Sequence, residues 1–244
     1  MSRATTIALL ICIAGPTHAQ DIPLLRPVSS SGCDLSTENF ARYTEFDRLM
    51  AMEPDAMDSL DVARYEALLD EIGDAGPGTP CQILGTSCSW YCGGGPEEVT
   101  ATSQLQAEAD SIHTPWNAHD LNYCTAWCEG VEGPGIGERL IYRFTPESPR
   151  LHTIIVVNGF VQDSVLWAEN NRVKELLVTD NGVPVARLAL EDTMDDQSFS
   201  IGLLGQHPNG SPMELTFEIS AIHPGTKHDR TAITEIYFDG TDVH

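Results

Sequence analysis

The chain has 244 residues, of which 41% are hydrophobic and only 7% aromatic, so it can bury one good core plus an accessory segment but is short for two full domains. Its 36 acidic residues outnumber its 13 Lys and Arg residues, which gives a formal net charge of −23. Such a charge repels phosphates, which argues against nucleic acid and anionic membrane surfaces as partners.

The first 19 residues have the pattern of an export signal. Arg3 is followed by an apolar run over residues 7–14, and Thr17, His18 and Ala19 form a small-x-small cleavage site. The apolar run is shorter than the ~20 residues that a membrane-spanning helix needs. We therefore predict a signal peptide over residues 1–19 and an exported protein, periplasmic or extracellular, without a membrane span.

Six cysteines remain once Cys12 is removed with the predicted signal peptide. An even number of cysteines in an exported chain indicates disulfides. Two pairs, each spaced by four residues, could alternatively form a four-thiolate zinc site, although an oxidising compartment favours disulfides. Spacing does not determine the pairing, and our working hypothesis is the local one: Cys33 with Cys81, Cys88 with Cys92, and Cys124 with Cys128.

Residues 20–95 are predicted to form a short α-helical hairpin with a disulfide-tied linker. An extended lead-in precedes two amphipathic helices, the first capped by Ser36 and the second by Ser59. A linker rich in Gly and Pro follows at residues 73–80. The apolar positions at helical spacing are Phe40, Tyr43, Phe46, Leu49 and Met50, then Val62, Tyr65, Leu68, Leu69 and Ile72.

Residues 96–244 change to a period of two, which is typical of strands. Turn sequences such as those at residues 180–182 and 209–210 separate the runs. Many short strands without intervening helices predict a mainly β fold, either a β-sandwich or a jelly roll. The predicted strands cover residues 140–144, 153–158, 175–179, 183–190, 198–203, 214–219 and 234–238.

Four stretches of this β region carry a family resemblance. They are HDLNYCTAWCEGVEGPGIGE at residues 119–138, NGF at 158–160, NNRVK at 170–174 and PGTKHD at 224–229. Together they resemble discoidin-like domains, related to factor V/VIII type C and galactose-binding-like domains, in the subfamily of the NADase-type glycan-binding or NAD glycohydrolase translocation domain. The resemblance implies an eight-stranded discoidin-like jelly-roll β-sandwich, with a glycan as the expected ligand class.

The resemblance also implies a candidate calcium site. The matching positions are Asp120, Asn122, Thr125 and Glu235, and oxygen donors of this kind suit a hard cation. Leu121 stands where a glycine is usual, so the turn could differ. A structural calcium ion and a metal-free, hydrogen-bonded loop both remain open.

A candidate glycan site lies on the loop between two predicted strands. Trp167 offers a flat aromatic face, Asn158 and Asn170 offer planar amides, and Arg172 offers a guanidinium that can pair with sugar hydroxyls. The alternative is that Asn170 and Arg172 brace the loop, with Arg172 paired to an acid.

No catalytic set of residues stands out. The glycine-rich run at residues 130–137 lacks the Lys and Ser/Thr of a phosphate-binding loop and is flanked by acids. We therefore expect a non-catalytic exported module that binds a glycan. The alternatives are an envelope protein that contacts a partner protein through the hairpin, near Phe46 and residues 50–57, and a secreted enzyme of unknown reaction.

Overall fold

A computed structural model describes residues 21–30, 32, 34–72, 80–83, 90–107 and 112–241. The predicted signal peptide, Cys33 and Cys88 lie outside these residues. Across the described part of the chain, no helix combines the length and the apolar character needed to cross a membrane.

The predicted helical hairpin is confirmed. Ser36 caps its first helix by accepting a hydrogen bond from the backbone N–H of Asn39 at 3.2 Å. The predicted cap of the second helix is wrong by one residue, because the Asp58 carboxylate, not Ser59, accepts from the first N–H groups at 2.8 and 2.9 Å. The helices of the chain are α1 (Thr37–Met50), α2 (Ser59–Ile72) and α3 (Ser164–Glu169).

The hairpin has a small core of its own. Phe46, Leu49 and Leu68 are buried between α1 and α2, and the ring of Phe46 stacks on that of Tyr65 at 5.7 Å. Other apolar side chains of the pair remain at least one-third exposed: Phe40, Met50, Leu60, Val62 and Leu69.

All seven predicted strands are present, each within a few residues of its predicted bounds. The described residues also contain four strands that were not predicted, at residues 24–25, 28–30, 98–101 and 127–128. The strands are β1 (Leu24–Leu25), β2 (Val28–Ser30), β3 (Glu98–Ala101), β4 (Trp127–Cys128), β5 (Arg139–Phe144), β6 (Leu151–Asn158), β7 (Asn171–Asp180), β8 (Val183–Ala189), β9 (Asp196–Leu204), β10 (Met213–His223) and β11 (Thr231–Gly240).

The strands form a β-sandwich, as predicted. One layer has the order β1-β8-β7-β10-β5-β3, and the other has the order β2-β9-β6-β11, with β4 added beside β11. Most pairs are antiparallel; a short parallel pairing of Asn171 with Thr231 and of Arg172 with Ala232 joins β7 to β11 between the layers. The predicted extended lead-in supplies β1 and β2, which extend one edge of each layer.

The core between the layers is rich in aromatic side chains. Trp127 is fully buried, and its Nε1 donates to the Ser103 carbonyl at 3.0 Å. Phe238 lies within 5.4 Å, centroid to centroid, of both Tyr142 and Phe144. Trp90 precedes the predicted domain start at residue 96, yet it is only 4% exposed and packs into this same core.

Candidate functional site

A disulfide joins Cys81 to Cys124, with a Cα–Cα distance of 5.4 Å. The local pairings of Cys81 with Cys33 and of Cys124 with Cys128 are therefore wrong, and a zinc site that uses the Cys124 thiolate is excluded. The reason is topological: Cys128 lies in β4, where its side chain is buried among apolar neighbours, whereas Cys124 lies beside residues 80–83. Cys128 is a free, buried thiol. The pairing of Cys88 with Cys92 stays a prediction.

Residues 80–83 run alongside the loop at residues 119–126, which we call the cation loop. The Tyr123 N–H donates to the Cys81 carbonyl at 2.7 Å, and the Ile83 N–H donates to the Leu121 carbonyl at 3.0 Å. Leu121 has φ of 59°, so it adopts the left-handed conformation that a glycine would favour at this position. The turn thus survives the loss of the glycine, and the disulfide and the backbone bonds hold it in place.

The four residues of the predicted calcium site lie together on the cation loop and β11. The Thr125 hydroxyl lies 2.8 Å from both carboxylate oxygens of Asp120. The Asn122 N–H donates to Oε1 of Glu235 at 2.9 Å. Glu235 is fully buried, and its Oε2 has no hydrogen-bond partner among the described residues.

This arrangement fits a hard cation. Burial, and then the neighbouring Asp120 carboxyl, raise the pKa of Glu235 to about 10, while hydrogen bonds from the backbone of Asn122 and Leu121 oppose the rise. An orphaned buried oxygen, a second carboxylate, a hydroxyl and an amide form the all-oxygen set that calcium prefers. Among the described residues, no group of three or more His, Cys, Asp and Glu side chains could hold a metal ion, so amide, hydroxyl or backbone oxygens would have to complete this site.

The predicted glycan residues also lie together, between the end of β6 and the start of β7. Asn158 is fully buried, and its amide exchanges two hydrogen bonds with the Val173 backbone, at 2.7 and 2.9 Å. Trp167 donates from Nε1 to the Asn158 carbonyl at 2.9 Å. The guanidinium of Arg172 lies over the Trp167 ring, 4.4 Å from its centroid.

Arg172 is occupied by protein partners. Its Nε and Nη2 donate to the two carboxylate oxygens of Asp192 at 3.0 and 2.8 Å, and its Nη1 donates to the carbonyls of Asn170 and Pro224. The Asn170 side-chain oxygen accepts from Arg230 at 3.0 Å. These are the contacts of a braced loop, as in the alternative interpretation, and direct binding of a glycan by these residues stays a prediction.

The structure also contains a pocket that the sequence did not reveal. It has a volume of about 230 Å³ and adjoins the cation loop. Its walls come from residues 112–126 and from residues 160–162, which lie more than 30 residues further along the chain, so no local motif could identify it. Among its lining residues are Ile112, His113, Asn117, Thr125, Phe160 and Gln162.

Comparison with known proteins gives one family. The model of the NAD glycohydrolase translocation F5/8 type C domain matches residues 90–239. Among curated protein sequences, none matches the chain.

Several solved structures have a similar fold at low sequence identity. The CBM32-1 and CBM32-2 domains of Clostridium perfringens ZmpB, in complex with GalNAc, are 12% identical over 63% of this chain and 34% of that chain, with a TM-score of 0.46. The chain therefore spans about a third of that protein. CpGH89CBM32-5 from Clostridium perfringens, in complex with GalNAc-β-1,3-galactose, is 12% identical over 59% of this chain and 94% of that chain, with a TM-score of 0.40.

Proposed function

Because the chain belongs to the NAD glycohydrolase translocation F5/8 type C domain family, we propose that it is an exported, non-catalytic module that binds a glycan. The observation that carries the proposal is the extent of the match, which runs over nearly the whole sandwich, from Trp90 in its core to Asp239 in β11. The disulfide between Cys81 and Cys124 supports export, because such bonds persist in oxidising compartments.

The buried acid Asp196 has structural contacts that support a non-catalytic role. Asp196 is buried and accepts hydrogen bonds from the hydroxyls of Tyr123 and Tyr237 at 2.8 and 3.0 Å, so it ties β9 to the cation loop and to β11. Burial raises the pKa of Asp196, and the two tyrosine hydrogen bonds oppose the rise. A general acid or base must reach a substrate proton. Both hydroxyls bind Oδ2, and although Oδ1 has no hydrogen-bond partner among the described residues, it is buried too, so this carboxyl is shielded from a substrate.

A glycan array tests the proposal directly. The mature protein is applied with calcium and with a chelator, and we expect selective binding to a subset of glycans in at least one condition. The Arg172→Ala variant on the same array tests the predicted loop, because it removes the Asp192 pair and the contact with Trp167. A blank array in both conditions would overturn the glycan proposal.

We also propose that calcium binds at the cation loop, with Asp120, Asn122, Thr125 and Glu235 as the residues that would hold it. A bound cation would compensate the buried Glu235 carboxylate and pin the loop to β11. We expect calcium to raise the melting temperature of the wild type and to leave that of Asp120→Asn unchanged. A wild-type melting temperature that does not respond to millimolar calcium would contradict the proposal.

A second candidate is a protein partner that contacts the hairpin. Leu60 is 78% exposed and Met50 is 44% exposed, which leaves apolar surface on this element. The predicted contact at Phe46 is wrong, since that ring is only 1% exposed. Concentration-dependent association without sugar, abolished by Leu60→Ser, would favour this candidate.

A further inference from the structure

The pocket beside the cation loop, which we call the His113 pocket, has the features of a small polar binding site. His113 and Asn117 come from the segment before the cation loop, Thr125 from the loop itself, and Phe160 and Gln162 from the segment after β6. Because the Cys124 disulfide and the β-sandwich fix these segments, the pocket exists before any ligand arrives. Preformed sites lose less free energy to ordering when they bind.

The ring of His113 is held in one orientation. Its Nδ1 lies 3.2 Å from the Ala126 carbonyl oxygen, and the ring makes a T-shaped contact with the Phe160 ring, with centroids 5.4 Å apart. A carbonyl oxygen only accepts, so Nδ1 carries the proton of the neutral ring. That leaves Nε2 as an acceptor with no partner among the described residues.

Two amides complete the polar lining. Asn117 is fixed on both sides, because its oxygen accepts from the Thr114 hydroxyl at 2.7 Å and its nitrogen donates to the Ile112 carbonyl at 2.7 Å. One of its N–H groups remains available. Gln162 is exposed, and its amide has no partner among the described residues. The pocket therefore offers an acceptor on His113, a fixed donor on Asn117, and an amide on Gln162 that can donate and accept. This set matches neighbouring hydroxyl groups of a ligand, because each hydroxyl both donates and accepts.

The remaining walls and the charges narrow the ligand class. The Phe160 ring and Ile112 offer apolar surface for C–H groups. Among the described residues that line the pocket there is no Lys or Arg. Two acids adjoin lining residues: Asp120, which is bonded to Thr125, and Asp163, which follows Gln162 in sequence and caps α3. An anionic ligand would therefore meet carboxylates without a compensating cation. A volume of about 230 Å³ is below the roughly 300–1,000 Å³ of sites for drug-sized ligands and suits a single small ring.

We propose that the His113 pocket binds one neutral sugar residue, a hexose or an N-acetylhexosamine, through His113 Nε2 and the side-chain amides of Asn117 and Gln162. The proposal rests on the proposed glycan-binding function and assigns it a site. The proposed sugar-binding residues differ from those predicted from sequence. Trp167 and Arg172 are committed to internal contacts, whereas the pocket side chains keep polar atoms available.

The test measures binding of free neutral hexoses and N-acetylhexosamines, with glucuronic acid as the anionic comparison, by titration calorimetry. We expect His113→Ala and Gln162→Ala each to weaken binding of the neutral sugar at least tenfold. The melting temperature of Gln162→Ala should not change, because its side chain is exposed and makes no hydrogen bond to the described residues. The matched control is His152→Ala, which lies at the other end of β6, roughly 20 Å away along the strand; it should bind as the wild type does.

Different negative results would overturn the pocket, the neutral ligand class or the glycan-binding function. A wild type that binds array glycans while both pocket variants bind equally well would overturn the pocket and leave the glycan function standing. A preference for glucuronic acid would overturn the neutral class. A blank array together with no binding of any free sugar would overturn the function and the pocket together.

Discussion

The sandwich and the helical hairpin bury apolar side chains on very different scales. In the sandwich, large rings such as Trp127, Tyr142 and Phe217 are at most 1% exposed and belong to one continuous core. The hairpin has only three buried side chains, and two helices of 14 residues each are marginal without packing. Stability is therefore concentrated where the candidate site lies, and the hairpin is the element expected to open first.

The difference can be measured because the two regions carry separate optical signals. All four Trp residues lie in the family-matched region, at positions 90, 116, 127 and 167, and none lies in α1 or α2. Tryptophan fluorescence therefore follows the sandwich. Circular dichroism at 222 nm follows mainly the helices, most of which belong to the hairpin.

The largest effect is expected from Phe238→Ala in the sandwich core. The Phe238 ring contacts those of Trp90, Tyr142, Phe144 and Phe217, so its loss removes apolar burial and leaves a cavity. Truncation of a buried Phe costs roughly 3–5 kcal/mol in the free energy of unfolding. Urea unfolding followed by tryptophan fluorescence measures the loss. A change below about 1 kcal/mol would mean that this core is far looser than its burial indicates.

The next effect is expected from removing the disulfide with the double substitution Cys81→Ser and Cys124→Ser. The bond closes a segment with a sequence separation of 43 residues, so its loss should lower the free energy of unfolding by roughly 2–4 kcal/mol. The same fluorescence measurement applies. The matched control is Cys128→Ser, which alters a cysteine that forms no disulfide, and calcium-dependent stabilisation should weaken only in the double variant. Equal melting temperatures for the double variant and the wild type would exclude a stabilising role for the bond.

A smaller effect is expected from His119 as the pH falls. Burial lowers the pKa of His119 to about 4, while the hydrogen bond to the Ile236 carbonyl opposes the shift. In the unfolded chain the ring binds a proton near pH 6.5, so stability is complete above that pH and is lost as the pH falls toward 4. The shift corresponds to up to about 3 kcal/mol. Unfolding measured at pH 7 and pH 5 should show a smaller loss for His119→Gln than for the wild type, and equal losses would refute this origin.

The same contrast separates what the sequence could predict from what it could not. Burial alternates along β5 and β10, as a period of two predicts, whereas β6 and β11 are buried on both faces over most of their length. Local sequence pattern was sufficient to locate all seven longer strands. The pairing of Cys81 with Cys124 depends on residues 80–83 lying beside the cation loop, which no spacing rule contains. Asp120 and Glu235 could be placed together only through the family resemblance. The His113 pocket combines residues 112–126 with residues 160–162, and only the folded chain brings these two stretches together.

The smallest effect on the sandwich is expected from Phe46→Ala in the hairpin. Phe46 is buried in a cluster with Leu49 and Leu68 and stacks on Tyr65, so its loss should abolish much of the helical signal at 222 nm. The fluorescence transition should shift by less than about 0.5 kcal/mol, because the ring makes no part of the sandwich core.

Phe40→Ala is the matched control, since Phe40 lies on the same helix but is 37% exposed. It should retain most of the helical signal that Phe46→Ala loses. If Phe46→Ala instead moved the fluorescence transition by several kcal/mol, the hairpin and the sandwich would unfold as one cooperative unit. The hairpin would then have to be counted as part of the scaffold that holds the cation loop, and a partner bound to it would alter the candidate site.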